Sequence, residues 1–159
     1  MTMSLLDQKS SKSRIGEVLK GLEPRDFPVV PENASIEDVM SAIVNCRHSR
    51  MLNVVNDQQQ LMGTISLDAL IRHVFAQDRE PTIHARSLIG VLSRETAGDI
   101  MFKQPIYATI EEEIGVVTRR MLEANVKDIP VVDSEKRVIA DITIVDLLQH
   151  LLALDEENL

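Results

Sequence analysis

The chain of 159 residues contains no tryptophan, one tyrosine (Tyr107) and three phenylalanines. Any core built from it must be aliphatic, and the aromatic platforms on which single-stranded nucleic acid stacks are missing. Cys46 is the sole cysteine, which excludes an internal disulfide and fits a reducing compartment. Positive charge is scarce: 17 Lys and Arg stand against 25 Asp and Glu, a formal net charge of −8, with no long basic run. Non-specific nucleic-acid binding and attraction to an anionic membrane both need concentrated Lys and Arg, so neither is expected. A small anion is not excluded, because it responds to local charge. No stretch of about 18 apolar residues occurs, and the opening "MTMSLLDQKSSKSR" lacks the apolar run of a signal peptide. The expectation is a cytoplasmic protein.

What is present is aliphatic and repetitive. Hydrophobic residues make up 44% and charged residues 26%, ordinary for a globular protein. Ile36, Val39, Ile43 and Val44 are spaced for one helical face, and 78 residues on the same spacing returns as Ile114, Val117, Met121 and Leu122. The apolar run "LNVVND" (52–57) is matched by "IPVVDS" (129–134), and "LMGTIS" (61–66) by "VIADIT" (138–143). "LIRHVF" (70–75) is matched by "LLQHLL" (147–152), with His73 and His150 at the same place, and the leading "RIGEVL" corresponds to "TAGDIM". Each copy reads as a lead-in, an extended segment, a helix, a two-stranded hairpin with a polar turn and a second helix. A unit of about 60 residues is marginal alone, whereas two stacked copies bury both sheet faces. The expected organisation is a disordered tail at 1–13, a first repeat at 14–76, a linker at 77–94, a second repeat at 95–153 and a frayed end at 154–159. Within the linker, Pro81 restricts the residue before it and ends the preceding helix, and "IHARSLIGVL" is read as one or two helical turns.

The segments "AGDIM" (97–101), "IPVVD" (129–133) and "ADITIVDLL" (140–148), with "IGEVL" (15–19), "LNVVN" (52–56) and "GTISLDALI" (63–71) in the first copy, resemble the CBS domain, usually found as tandem pairs called Bateman modules. The resemblance spans about three quarters of the chain and rests on order, spacing and duplication together. It implies an α/β (α+β) fold of two repeats, each a three-stranded sheet with two helices. The sheets would pack face to face with pseudo-twofold symmetry and leave two clefts. It further implies an adenosine-containing ligand such as AMP, ADP, ATP or S-adenosylmethionine, and a flat homodimer. An effector protein that responds to occupancy, as in energy sensing, is implied as well.

The family's ribose-gripping pattern is a small residue, two hydrophobics, Ser or Thr, two variable residues and Asp, and the second copy meets it with Thr143 and Asp146. An ionised carboxylate is acceptor-only and can take both hydroxyls of a cis-diol, while free N–H groups at a helix start favour anions. The same residues also read as a capping box, Thr143 accepting from a helix N–H and Asp146 favouring the first turn. Both readings stand. In the first copy Ser66 matches Thr143, but Ala69 occupies the aspartate position and Asp68 comes one residue early. One residue is about 100° of helix rotation, so that copy is a degenerate second site and at most one standard nucleotide site is expected.

For phosphate, the resemblance points to Arg50 and Lys127, which also read as solvated surface charges. Asp128 follows Lys127 and would repel a phosphate by about 1 kcal/mol or more at intermediate dielectric, which favours AMP or a less anionic adenosyl ligand over ATP. The base would lie against Ile106, Tyr107 and Ala108 and against Ile129 and Pro130, with Tyr107 able to stack; each also reads as core.

Catalytic chemistry is not expected. The paired histidines read as features of the repeat or of its helix ends, and His48 and His84 have no metal-ligand spacing to each other or to Cys46. "EEE" (111–113) suits the start of a helix and is a minor candidate for a divalent cation. No P-loop, dinucleotide fingerprint or nucleophile elbow occurs. Two functions remain: a non-enzymatic module that senses an adenosine-containing ligand and regulates a partner, or a ligand-free scaffold for dimerisation and docking. "LLQHLLAL" is the candidate self-association face.

Overall fold

The computed structural model describes residues 12–76 and 94–157. The expected helical turns of "IHARSLIGVL" and nearly all of the 1–13 tail and 77–94 linker lie outside them. In chain order the elements are α1 (Ile15–Lys20), β1 (Val29–Pro31), α2 (Ile36–Asn45), β2 (Met51–Val55), β3 (Leu61–Ser66), α3 (Leu67–Ala76), α4 (Ala97–Ile100), α5 (Ile114–Glu123), β4 (Asp128–Val132), β5 (Val138–Thr143) and α6 (Ile144–Glu157). They fall into two compact units. Asp26–Pro105 forms one, here the N-unit; Met1–Arg25 joins Ile106–Leu159 in the other, the C-unit.

Each unit has its own aliphatic core, and the two cores use equivalent positions. Ile36, Val39, Ile43, Leu52, Val54, Ile65 and Leu70 fill the N-unit; Ile114, Val117, Met121, Ile129, Val131, Ile142 and Leu147 fill the C-unit. The fourth member of each expected helical stripe is different. Val44 is 79% exposed and Leu122 70% exposed. Each lies about 100° around the helix from the buried residue before it, so the core-facing stripe is narrower than the apolar spacing suggests.

The lead-ins are exchanged. Helix α1, which opens the first repeat, belongs to the C-unit: the N–H groups of Ile15 and Gly16 donate to the carbonyls of Glu112 and Ile110 (2.9 Å each), and Ile114 N–H donates to Ser13 (2.8 Å). Helix α4, which opens the second repeat, belongs to the N-unit, where Ala97 N–H donates to Ala34 (2.8 Å) and Gly98 N–H to Glu32 (2.9 Å). Ile15 and Ala97, both fully buried, therefore complete the cores of the bodies opposite to their own repeats. Sequence repeat and structural unit do not coincide.

The sheets differ through one residue. In the N-unit β1, β2 and β3 form a three-stranded sheet, with β1 parallel and β3 antiparallel to β2. There Asn53 N–H donates to Pro28 O (3.0 Å) and opens the β1–β2 ladder. The equivalent of Asn53 in the C-unit is Pro130, which has no N–H to give. Only an isolated bridge, Ala108 to Val131, marks the third-strand position beside β4 and β5.

Both hairpins turn in the same way. Asn56 Oδ1 accepts from Gln58 and Gln60 N–H (2.9 and 3.0 Å), and Asp133 Oδ1 accepts from Glu135 and Arg137 N–H (2.9 Å each). These local side-chain acceptors hold Gln59 (φ 64°) and Lys136 (φ 63°) in the left-handed region.

Along β3 of the N-unit the chain after α4 pairs directly with the strand: Thr64 N–H donates to Phe102 O (3.2 Å) and Phe102 N–H to Thr64 O (2.8 Å). A Cβ on Gly63 would lie 2.7 Å from that Phe102 carbonyl oxygen. In the C-unit the equivalent residue is Ala140, which already carries a methyl group. Gly63→Ala is expected to lower the unfolding free energy by about 1–3 kcal/mol through overpacking against backbone, measured by urea denaturation. An unchanged midpoint would show that the exchanged lead-in is not held on β3.

Candidate functional site

The residues singled out as a ribose grip lie at the junction of β5 and α6 in the C-unit. β5 pairs antiparallel with β4, setting Asp128 opposite Thr143, Ile129 opposite Ile142 and Pro130 opposite Asp141. Ile144 N–H donates to Lys127 O (2.8 Å), closing the hairpin where the helix begins. Thr143 and Asp146 form a reciprocal capping box: Thr143 Oγ1 accepts from Asp146 N–H (3.1 Å), and Asp146 Oδ2 accepts from Thr143 N–H (2.8 Å). Both residues are 5% exposed. The cap reading is thus realised, and it fixes both side chains.

Asp146 is not alone. Asp141, two residues before Thr143, is 4% exposed, so two carboxylates are buried within five residues of each other. Burial without compensation would drive a carboxylate toward its neutral form. The compensating charge is Arg25, which comes from the exchanged lead-in. Its Nη1 donates to Asp146 Oδ1 (3.0 Å) and its Nη2 to Asp146 Oδ2 (2.6 Å), a two-pronged contact. Nε and Nη2 each reach Asp141 Oδ1 (3.3 Å), and Nη2 reaches the Asp141 carbonyl (3.2 Å). Burial pushes the Asp146 carboxyl up, but the hydrogen bonds from Arg25 and Thr143 N–H outweigh it and hold it below the usual carboxylate range. The Asp146 hydrogen bond, set against burial, raises the Arg25 guanidinium correspondingly.

Arg25 was not among the expected site residues, yet the sequence carries a signal for it. Fourteen positions separate Ile15 from Val29, but only ten separate the equivalent Ala97 and Tyr107. The first lead-in, "GLEPRDFP", is therefore longer by four residues, and Arg25 lies within it. The N-unit acts as an internal control. There Thr64 and Ala69 replace Asp141 and Asp146, and the shorter lead-in delivers Phe102 N–H to the Thr64 carbonyl. In the C-unit the equivalent carbonyl, that of Asp141, accepts from the Arg25 guanidinium instead. The arginine and the acid pair occur together in one unit and are both missing from the other.

The remaining expected residues are placed as follows. Ile129, Pro130 and Ala108 are buried, and Ile106 and Tyr107 are half-buried, all in the C-unit. Tyr107 carries the Lys136 ammonium 5.5 Å from its ring centroid, and its carbonyl accepts from Arg120. Lys127 is exposed beside the buried Asp128. Arg50 is exposed and belongs to the N-unit, where its carbonyl accepts from Leu67 N–H (2.9 Å) just as that of Lys127 accepts from Ile144. At the degenerate position Ser66 Oγ accepts from Ala69 N–H (3.1 Å), half of a capping box, while Asp68 is exposed. Of "EEE", Glu112 is tied to Arg120, whose hydrogen bond draws its carboxyl down against the opposing effect of burial. His73 pairs with Glu95. No group of His, Cys, Asp and Glu that could hold a metal ion occurs among the described residues. Nor does any helix there that is long and apolar enough to cross a membrane.

Comparison with known proteins accords with this architecture. The family model for the CBS domain matches residues 19–76 and 97–153. The chain belongs to the CBS domain family and is a tandem CBS pair. Among solved structures it is similar to a CBS domain-containing protein from Thermotoga maritima (23% identity, 91% of this chain and 96% of that one, TM-score 0.70). It is also similar to CBSX2 in complex with AMP (22% identity, 90% and 98%, TM-score 0.70). A third neighbour is a CBS domain pair in complex with 5′-methylthioadenosine and S-adenosyl-L-methionine (20% identity, 90% and 98%, TM-score 0.66). No curated protein matches significantly by sequence.

Removing one partner from a buried charge cluster costs about 3–5 kcal/mol when the site is dry. The Arg25 side chain is 25% exposed, so Arg25→Gln is expected to cost less, about 1–3 kcal/mol at pH 7. The sign with pH follows from Asp146. In the wild type its depressed folded-state pKa gives stability that is present at neutral pH and lost as pH falls through that value. Without Arg25, burial dominates, the folded-state pKa rises and stability recovers on acidification. The deficit of Arg25→Gln should therefore shrink between pH 7 and about pH 4.5, read by urea denaturation at both. An equal deficit at the two pH values would show that the guanidinium does not balance these carboxylates.

Proposed function

We propose that this CBS pair is a non-enzymatic regulatory module that binds an adenosine-containing ligand in the C-unit and relays occupancy to a partner protein. Asp146 would accept the two ribose hydroxyls, with Thr143 beside it. Ile106, Tyr107, Ala108, Ile129 and Pro130 would line the base, and Lys127 would face a phosphate. Arg50 and Ser66 hold the corresponding positions of the N-unit, where Ala69 stands at the aspartate position, Asp68 comes one residue early and no ribose grip is left. The observation that carries this reading is the buried, capped Thr143–Asp146 pair. Solved neighbours of the same fold bound to AMP and to S-adenosyl-L-methionine support it. The buried Asp128 beside Lys127 disfavours a triphosphate by repulsion of about 1 kcal/mol or more, so AMP or S-adenosylmethionine is favoured over ATP. The module would act in the cytoplasm as a homodimer.

A second reading, a ligand-free scaffold, is favoured by the exposed apolar residues Val145 (60%), Leu148 (55%) and Leu152 (67%) on α6. Calorimetry with AMP, ADP, ATP and S-adenosylmethionine separates the two. The sensor reading predicts heat with at least one of the four, weakened about ten-fold or more in Asp146→Asn through loss of a charged acceptor. No heat with any of them at millimolar concentration would favour the scaffold. Binding that Asp146→Asn leaves unchanged would place the site elsewhere.

A further inference from the structure

We propose that Arg25 is a displaceable latch on the ligand site: it occupies the Asp146 carboxylate in the free protein, and a nucleoside gains that carboxylate only by pushing the guanidinium onto Asp141. The inference rests on the ribose reading of Asp146 and adds the group that competes with the ribose.

Lone-pair accounting carries the argument. A carboxylate offers about four acceptor positions. On Asp146, Arg25 Nη1 takes one at Oδ1, and at Oδ2 both Arg25 Nη2 and Thr143 N–H are accommodated. One position is left, and a cis-diol needs two. Thr143 N–H belongs to the helix cap and stays, so the group that yields is Arg25. With it gone, three positions are open.

Release is feasible because Arg25 has somewhere to go. Its Nε and Nη2 already lie 3.3 Å from Asp141 Oδ1, longer than its 2.6 Å contact to Asp146. When Arg25 leaves Asp146 it tightens on Asp141, so the guanidinium keeps a carboxylate, and the ribose hydroxyls replace it as donors to Asp146. The buried second acid thereby acquires a role as the alternative partner. The N-unit, with no carboxylate at either position, has no latch and needs none.

The place of Arg25 in the chain gives its release a consequence. It is the last residue of the C-unit, and Asp26 is the first of the N-unit. It stands between Pro24 and Pro28 in a stretch that forms no helix or strand, and its hydrogen bonds to Asp141 on β5 and Asp146 on α6 tie that stretch down. Occupancy at Asp146 would thus remove two of the hydrogen bonds that tie down residues 21–28. A ligand that must first open a closed state binds more weakly by the fraction of molecules already open.

The test compares adenosine binding to wild type, Arg25→Gln and Arg25→Lys by calorimetry, with hydrogen exchange over residues 21–28. Adenosine carries the diol and no phosphate, so any charge attraction to Arg25 is removed from the comparison. The latch predicts a Kd lowered about ten-fold or more in Arg25→Gln. Arg25→Lys, which keeps the charge and loses the two-pronged fork, should lie between; it keeps the test valid if Arg25→Gln fails to fold. Adenosine should speed exchange at 21–28 in the wild type and not in Arg25→Gln. Equal or weaker binding in both variants, or protection of 21–28 by adenosine, would overturn the latch while leaving the nucleoside site standing. Absence of binding to all three proteins would overturn the site and the latch together.

Discussion

An ionised carboxylate cannot be buried without a partner, and here two are buried side by side. That constraint ties the C-unit together. Asp146 caps the longest helix among the described residues, Asp141 sits on the strand that leads into it, and both accept from a cation more than a hundred residues away in sequence. The exchange of lead-ins provides it: α1 is held against the second repeat by backbone hydrogen bonds to Ile110 and Glu112, and the chain that follows brings Arg25 to the acid pair. In the N-unit the lead-in is held by the buried Ala97 side chain and by backbone hydrogen bonds from Ala97, Gly98 and Phe102, and Gly63 lets the Phe102 segment approach β3. One architecture has thus been fitted with two different seals, one ionic and one made of main-chain hydrogen bonds.

The ionic seal is the more consequential of the two because it is reversible in kind. A guanidinium paired with a carboxylate is at once a structural element and a competitor for any hydroxyl donor that seeks the same oxygens. Under the proposed latch, a site preorganised by its cap and blocked by its counterion would respond to a ligand without rebuilding the fold around it. The response would then fall on the chain segment that bears the counterion.

The fold was readable in the sequence to the extent that it is local. The spacing of Ile36, Val39 and Ile43, and of Ile114, Val117 and Met121, marks helix faces that are buried in both units. The hairpins at 51–66 and 128–143 follow from apolar runs around polar turns. Val44 and Leu122 misled because an apolar side chain at a helix margin is compatible with either surface or core. The exchange of α1 and α4 left no periodic signature, since it depends on which body each short helix docks against. The effect of Pro130 depends on a hydrogen bond from Asn53 N–H to Pro28 O in the other unit, a contact that spacing along the chain does not mark. At the site, the Thr143–Asp146 spacing correctly announced a cap, but the partner of the carboxylate was hidden. Arg25 lies in the four-residue difference between the two lead-ins, where aligning the repeats yields a gap and no residue to compare.

A crystal structure of the complex with AMP tests the central claim most directly. The account predicts both ribose hydroxyls on the Asp146 carboxylate, Thr143 N–H still capped, and the Arg25 guanidinium paired with Asp141 alone. A complex in which Arg25 keeps both oxygens of Asp146 while the nucleotide binds elsewhere would contradict it.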